Sequence, residues 1–276
     1  MDIFYASLIG ISRTIAALPF EHPFEYIKTQ VQANPHVDPY KFVINDIKSN
    51  GILKLYTGLI PNAIRNSFKQ AYRFPMMVHF PRIFRTFIRN ENAVQTLTGL
   101  SIAAIEGYII CPLERLKTWI MTSPKATIRQ FFREKNLKHE AFRGIQPLLF
   151  KQTISWVTFL GCTSFFKEIT KKYTHKEELL YSELLIIGAI VGVINTAAVM
   201  PLDFAKTQLQ KYGEMEGKST WGVLKKFIDN EKSNIGKIRI VCSGWQFRIV
   251  QYIIDACLTV SLLDRLDTHF KNRAKS

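Results

Sequence analysis

Three acid–base pairs stand out because each sits in the same local frame. Glu25 and Lys28 lie in HPFEYIKTQVQ, Glu114 and Lys117 in CPLERLKTWIM, and Asp203 and Lys206 in MPLDFAKTQLQ, so P-x-[DE]-x-x-K-T occurs three times. The prolines Pro23, Pro112 and Pro201 are spaced 89 residues apart, twice. An acid and a base three residues apart share one face of a helix and project together. Three copies around a pseudo-threefold axis allow a closure that one copy does not: each acid meets the base of the next repeat, and the charges form a ring. Proline removes a backbone hydrogen bond and bends the helix that contains it. The motif therefore predicts three helices drawn together at one end and pinned by ion pairs. Such pairs near water are worth about 0–1 kcal/mol each, which suits a gate that must open.

The elements that position these charges repeat as well. Thirteen residues before each proline stands a glycine, Gly10, Gly99 and Gly188. After each motif comes an amphipathic polar stretch, then a glycine (Gly58, Gly144 and Gly244), then a second long apolar segment at 60–89, 146–171 and 246–270. Each repeat reads as long helix, short surface helix, long helix, and such a period dictates architecture. Six segments of about 20 residues or more are long enough to cross a bilayer. Only the fifth, 184–202, is free of charge across a bilayer-length window; the others carry Arg13, Lys69, Glu106 or Asp255. A hydropathy scan is therefore expected to undercount them.

Composition agrees with that pattern. Lys plus Arg number 37 against 22 Asp plus Glu, a net charge of +15, in a chain that is 47% hydrophobic. A mean hydropathy of +0.01 is high for a basic soluble domain and low for a bundle facing only lipid. Membrane helices around a wet, polar interior reconcile the two, because ionisable groups in a bilayer face a cavity or one another. Nucleic-acid binding is the usual rival explanation of basicity. Here the bases are scattered through apolar segments without a nucleic-acid motif, so no such partner is expected. Cys111, Cys162, Cys242 and Cys257 lie far apart without a CxxC and read as packing residues, not a metal site or disulfide frame. The opening MDIFYASLIGISR has neither a basic n-region nor an Arg/Ser-rich transit pattern, so targeting information is expected to be internal. No nucleophile elbow, phosphate loop or metal cluster points to an enzyme.

On its threefold P-x-[DE]-x-x-K motif and the glycine opening each even-numbered helix, the chain resembles the mitochondrial carrier family over essentially its whole length. The resemblance implies an all-α membrane protein with six transmembrane helices in three pseudo-symmetric repeats and three short matrix helices. It would be one domain over 1–276, with repeats at 1–90, 91–175 and 176–276. It implies a multi-pass protein of the mitochondrial inner membrane, both termini facing the intermembrane space. By analogy the matrix gate pairs Glu25 with Lys117, Glu114 with Lys206, and Asp203 with Lys28. Gln32 and Gln210 stand where the family places a bracing glutamine, and Met121 takes that place in repeat two. The family's cardiolipin sites use helix N-termini, an anion-binding geometry, at Gly58, Gly144 and Gly244. No other cofactor is implied. The [DE]-G element before the even helices survives only as Asn50-Gly51. Substrate contacts fall about seven residues after each repeat glycine: Arg65, Lys151 with Gln152, and Gln251. Lys69 and Arg73 continue the face of Arg65. A cavity with these cations focuses a positive potential and favours anions; nucleotides, carboxylates and phosphate all fit. The rival is a cavity whose charges are solvated or paired with Glu106 and Asp255. His22, beside the gate, reads as an interfacial histidine.

One departure from the family pattern matters. A second ring is expected near the far ends of helices two, four and six. Its positions here give Val78–Lys167, Ser164–Asp267 and Asp264–Pro81, none of them an ion pair. Pro75 and Pro81 are expected to make the end of helix two irregular, and KEITKKYTHKEE at 167–178 reads as a solvated loop. Alternating access needs two closable ends. The leading expectation is a solute carrier for a small anionic metabolite. The alternative is a carrier-fold protein that has lost transport and serves as an accessory subunit of a large inner-membrane respiratory complex.

Overall fold

The structure is a computed structural model and describes residues 3–123, 127–133, 137–175, 179–211 and 219–254. Every regular element among them is helical. The first third of the chain gives a long helix α1 (Ile3–Ala33), a short helix α2 (Pro39–Asn50), one 3-10 turn (Ile52–Tyr56) and a second long helix α3 (Leu59–Arg85). The same order returns as α4 (Glu91–Thr122), short α5 (Ile128–Arg133) and α6 (Leu137–Ala141), then α7 (Ile145–Thr174). It returns again as α8 (Tyr181–Gln210), short α9 (Thr220–Asp229) and α10 (Asn234–Val241), then α11, described over 245–254. The second short element of each set was not foreseen from the sequence.

Local chemistry sets the ends. Asp38 caps α2 by accepting from the backbone of Tyr40 and Lys41 at 2.9 and 3.1 Å, and Pro39 follows at the first helical position, where a missing N–H is harmless. Asn90 caps α4 and Ser219 caps α9 in the same way. The three even-numbered spans, α3, α7 and α11, each start from a glycine in the left-handed region: Gly58 at φ 83°, Gly144 at 79° and Gly244 at 81°. A side chain there is disfavoured on backbone grounds alone. Space excludes it too. A Cβ on Gly144 would lie 2.9 Å from Gln210 Cγ, and those on Gly58 and Gly244 3.1 Å from Met121 Cγ and Lys28 Cγ. Each glycine thus lets an even helix begin tight against the end of an odd helix from another repeat.

The long helices close into a ring. α1 packs on α3, α3 on α4, α4 on α7, α7 on α8, and α8 returns to α1. α11 enters between α8 and α1: Phe247 packs on the Tyr26–Val31 cluster of α1 and Arg248 reaches Asp203 of α8. The ring is apolar outside and charged within, the reverse of a water-soluble protein. Leu185, Ile186, Ile190 and Val193 of α8 are exposed, while Lys28, Glu106, Glu114, Lys117, Asp203 and Lys206 are buried. By length and composition α4 and α8 are apolar enough to span a membrane, with mean hydropathies of 1.4 and 2.2 in their best windows.

Two sequence expectations need correction. α3 runs unbroken through Pro75 and Pro81 to Arg85, because neighbours on both flanks, α1 and α4, hold it where a hydrogen bond is missing. α7 continues through most of the charged 167–178 run and ends at Thr174, with His175 in the left-handed region. Its one acid, Glu168, lies three and four residues before Lys171 and Lys172, the latter 3.3 Å away. Charge is compatible with a helix when its faces are solvated.

Candidate functional site

The prolines Pro23, Pro112 and Pro201 lie inside α1, α4 and α8, one turn before the acid–base pairs. At that level the three helices converge. Lys117 binds Glu25, Lys206 binds Glu114, and Lys28 binds Asp203, each pair joining two different repeats. The lysine side chains are 5–9% exposed. These pairs are therefore buried, and the 0–1 kcal/mol typical of surface pairs does not describe them. Removing one partner of a buried pair costs about 3–5 kcal/mol, because the other charge is left without compensation.

The even helices add a second tier of cations on the same acids. Arg65 of α3 donates to Glu114 at 2.6 Å and lies 3.5 Å from Glu25. Lys151 of α7 lies 2.6 Å from Asp203, and Arg248 of α11 donates to it at 2.7 Å. Three acids are thus shared among six cations. Arg65 and Lys151, expected as substrate contacts, line the cavity and at the same time hold the acids of the ring.

Two members of this layer escaped the sequence reading. Asn62, 1% exposed, donates to Glu25 at 2.6 Å and accepts from Arg65 at 2.8 Å. Arg248 is the other. Each stands four residues after its repeat glycine, so comparing the repeats at that position could have found them. His22 is wholly buried. Its ring nitrogens lie 3.0 Å from the Asn62 amide and 3.1 Å from the Thr57 carbonyl.

One turn beyond the ions lies a layer of amide and hydroxyl contacts. Thr207 donates to the Gln32 side chain at 2.9 Å, and Thr118 to that of Gln210 at 3.2 Å. Both threonines belong to the K-T end of the repeated motif. Met121 has no polar atom to offer the third, and Thr29 turns back onto its own Glu25 carbonyl at 2.8 Å. Gln30 instead reaches the Met121 carbonyl. All three repeat boundaries are tied, one of them by backbone.

Above the ions is a cavity of about 600 Å³, reaching from Lys28 and Lys117 past Arg65, Lys69 and Arg73 to Met77 and Phe159. Gln152 donates to Glu106 at 3.1 Å, and Gln251 to the Glu21 carbonyl at 3.3 Å. Lys69 and Arg73 lie 2.7 and 3.7 Å from Glu106, so that acid takes part of the charge assigned to a ligand. Of the second ring, Val78 is half-buried and Lys167 exposed; Asp255, Asp264 and Asp267 lie outside the described residues.

An inside-out helical ring around a charged cavity, closed at one end by buried ion pairs between repeats, defines a membrane solute carrier. The chain belongs to the mitochondrial carrier family: the family model described as mitochondrial carrier protein matches residues 2–87 and 177–274. It is 24% identical to the tricarboxylate transport protein of Saccharomyces cerevisiae over 92% of this chain and 96% of that one. It is 28% identical to the mitochondrial tricarboxylate transport protein of Homo sapiens, covering 72% of this chain and 70% of that one. It is also 27% identical to the mitochondrial basic amino acids transporter of Bos taurus, covering 75% and 72%.

Proposed function

We propose that this protein carries a small polycarboxylate anion across the mitochondrial inner membrane by alternating access, its ion-paired end toward the matrix and both termini toward the intermembrane space. The observation that carries this reading is the charge of the cavity floor. Six cations meet three acids there, a surplus of three positive charges beneath a cavity of about 600 Å³. A low-dielectric cleft of one sign concentrates counter-ions, and a trianion neutralises this surplus. Relatives named as tricarboxylate transport proteins agree with the reading.

The same geometry couples binding to opening. Arg65, Lys151 and Arg248 face the cavity and also hold Glu114, Glu25 and Asp203. A polycarboxylate reaching the floor competes for these three cations. Each gate acid then retains little beyond its lysine, and the ring loosens only when ligand replaces what is withdrawn. A ligand moves such an equilibrium only through its differential affinity for the two states, and the shared cations supply that difference. Each even helix also begins at Gly58, Gly144 or Gly244, and a helix N-terminus is an anion-binding geometry suited to cardiolipin phosphates.

The test is reconstitution of the whole chain in liposomes with labelled tricarboxylate, dicarboxylate, nucleotide, inorganic phosphate and a basic amino acid. Uptake of tricarboxylate, abolished by Arg65→Ala, is expected. Uptake of the basic amino acid alone, or of none of the five, refutes the proposal.

A further inference from the structure

Glu106 belongs to neither the gate nor the repeat pattern. It stands six residues before Pro112, where the other repeats have Ala17 and Asn195. It is 0% exposed and lies directly behind residues that line the cavity. Its Oε1 receives Lys69 Nζ at 2.7 Å and Gln152 Nε2 at 3.1 Å. Its Oε2 has no hydrogen bond, and Arg73 Nε, 3.7 Å from it, has none either. That distance is too long for a hydrogen bond. The Arg73 guanidinium is held over the Trp156 ring, 5.0 Å from its centre. Lys69 and Arg73 are one turn apart on α3 and, with Gln152 of α7, line the cavity.

The cluster has the composition of a carboxylate site: two cations and an amide donor converging from two helices, with one carboxylate already between them. Two half-buried cations side by side without an anion repel each other and lose hydration, so an empty cavity favours an internal counter-charge. An ionisable residue inside a membrane protein marks a functional position, read through the partner it holds, and here those partners line the cavity. We propose that Lys69, Arg73 and Gln152 form a second carboxylate subsite above the floor, and that Glu106 is its tethered occupant in the unloaded protein. The inference rests on the polycarboxylate reading of the floor. A substrate carboxylate competes with Glu106 for Lys69 and completes the unfilled bonding of Arg73. Glu106 therefore sets specificity: it lowers the positive charge of the subsite by one and raises the threshold of ligand charge needed to displace it. The gate ring is threefold and this position is not, as expected of a group that reads an asymmetric ligand.

The test compares wild type with Glu106→Gln by ligand-induced thermal stabilisation of the full chain in detergent, using citrate, succinate and inorganic phosphate. The isosteric amide keeps the bond from Gln152 available and frees both cations. Citrate is expected to bind Glu106→Gln about tenfold more tightly than wild type, and the preference for citrate over succinate to narrow. Adding Lys69→Ala should cost more citrate affinity in the Glu106→Gln background than in wild type, where Lys69 is already occupied. Equal or weaker citrate binding by Glu106→Gln overturns the inference. Should Glu106→Gln not fold, Glu106→Asp, which shortens the tether by one methylene, must bind citrate more tightly than wild type or the inference falls. Should wild type bind none of the three anions, the polycarboxylate reading fails; a gain of citrate binding in Glu106→Gln then still supports the tethered-occupant assignment, and no gain overturns it.

Discussion

Asp203 is the most heavily shared acid of the ion-pair ring, and replacing it by asparagine separates sharing from simple pairing. Its carboxylate accepts from Lys28, lies 2.6 Å from Lys151 and accepts from Arg248 at 2.7 Å, while 1% of the side chain is exposed. Asp203→Asn leaves three cations around a neutral amide. Losing the common partner of a buried ionic cluster costs about 3–5 kcal/mol. Lys28→Gln acts on the same ion pair from the other side, yet Asp203 keeps Lys151 and Arg248. One hydrogen bond to a charged group is then lost, about 1.5–3 kcal/mol. Asp203→Asn should therefore be the more damaging by about 2 kcal/mol. With about 2–4 °C per kcal/mol for chains approaching this size, that gap is several degrees in the thermal unfolding midpoint of the detergent-solubilised protein. Simple one-to-one pairing predicts equal losses. Equal midpoints for Asp203→Asn and Lys28→Gln would refute the shared-acid argument.

Two further outcomes test the scaffold. Gly144→Ala meets both a left-handed backbone, about 1–2 kcal/mol, and the Gln210 side chain 2.9 Å away. Gly188→Ala, inside α8, meets no left-handed backbone and open space, so in urea-induced unfolding Gly144→Ala should lose more stability by at least the cost of overpacking, about 1–3 kcal/mol. Outside the membrane spans, burial pushes the Glu140 carboxyl up, but its bond from Arg115 at 2.7 Å and the neighbouring Arg143 outweigh this and hold it below the usual carboxylate range. A group depressed on folding stabilises above its unfolded pKa and loses that contribution as pH falls through the folded one. The stability difference between wild type and Glu140→Gln should thus be full at neutral pH and vanish on acidification; a difference that does not change with pH would be the contrary result.

Much of the ring is legible in the sequence because symmetry does the work. Once P-x-[DE]-x-x-K-T recurs at one spacing, Glu25, Glu114 and Asp203 occupy equivalent points, and a closed set of partners follows without coordinates. The glycines are legible for the same reason, as left-handed starts at one register. Asn62 and Arg248 also share a register, but their residue types differ between repeats, so no motif announces them. Pro75 and Pro81 mislead because the local rule is sound and its context overrides it: α3 is flanked by α1 and α4, and packing keeps the helix that an isolated peptide would bend. The 167–178 run misleads in the opposite direction, since charge alone does not distinguish a loop from a solvated helix.

By itself the sequence determined a threefold helical ring, its charged seam and the acids and lysines that share it. Only the tertiary structure decided which other cations those acids hold. Repetition encodes equivalence between repeats, whereas the bonds of Arg65, Lys151 and Arg248 depend on how closely three helices approach and how far each side chain reaches. Glu106 lies wholly on the second side of that division. It has no counterpart in the other repeats, and its partners, Lys69, Arg73 and Gln152, meet it only because α3, α4 and α7 pack around one wall of the cavity.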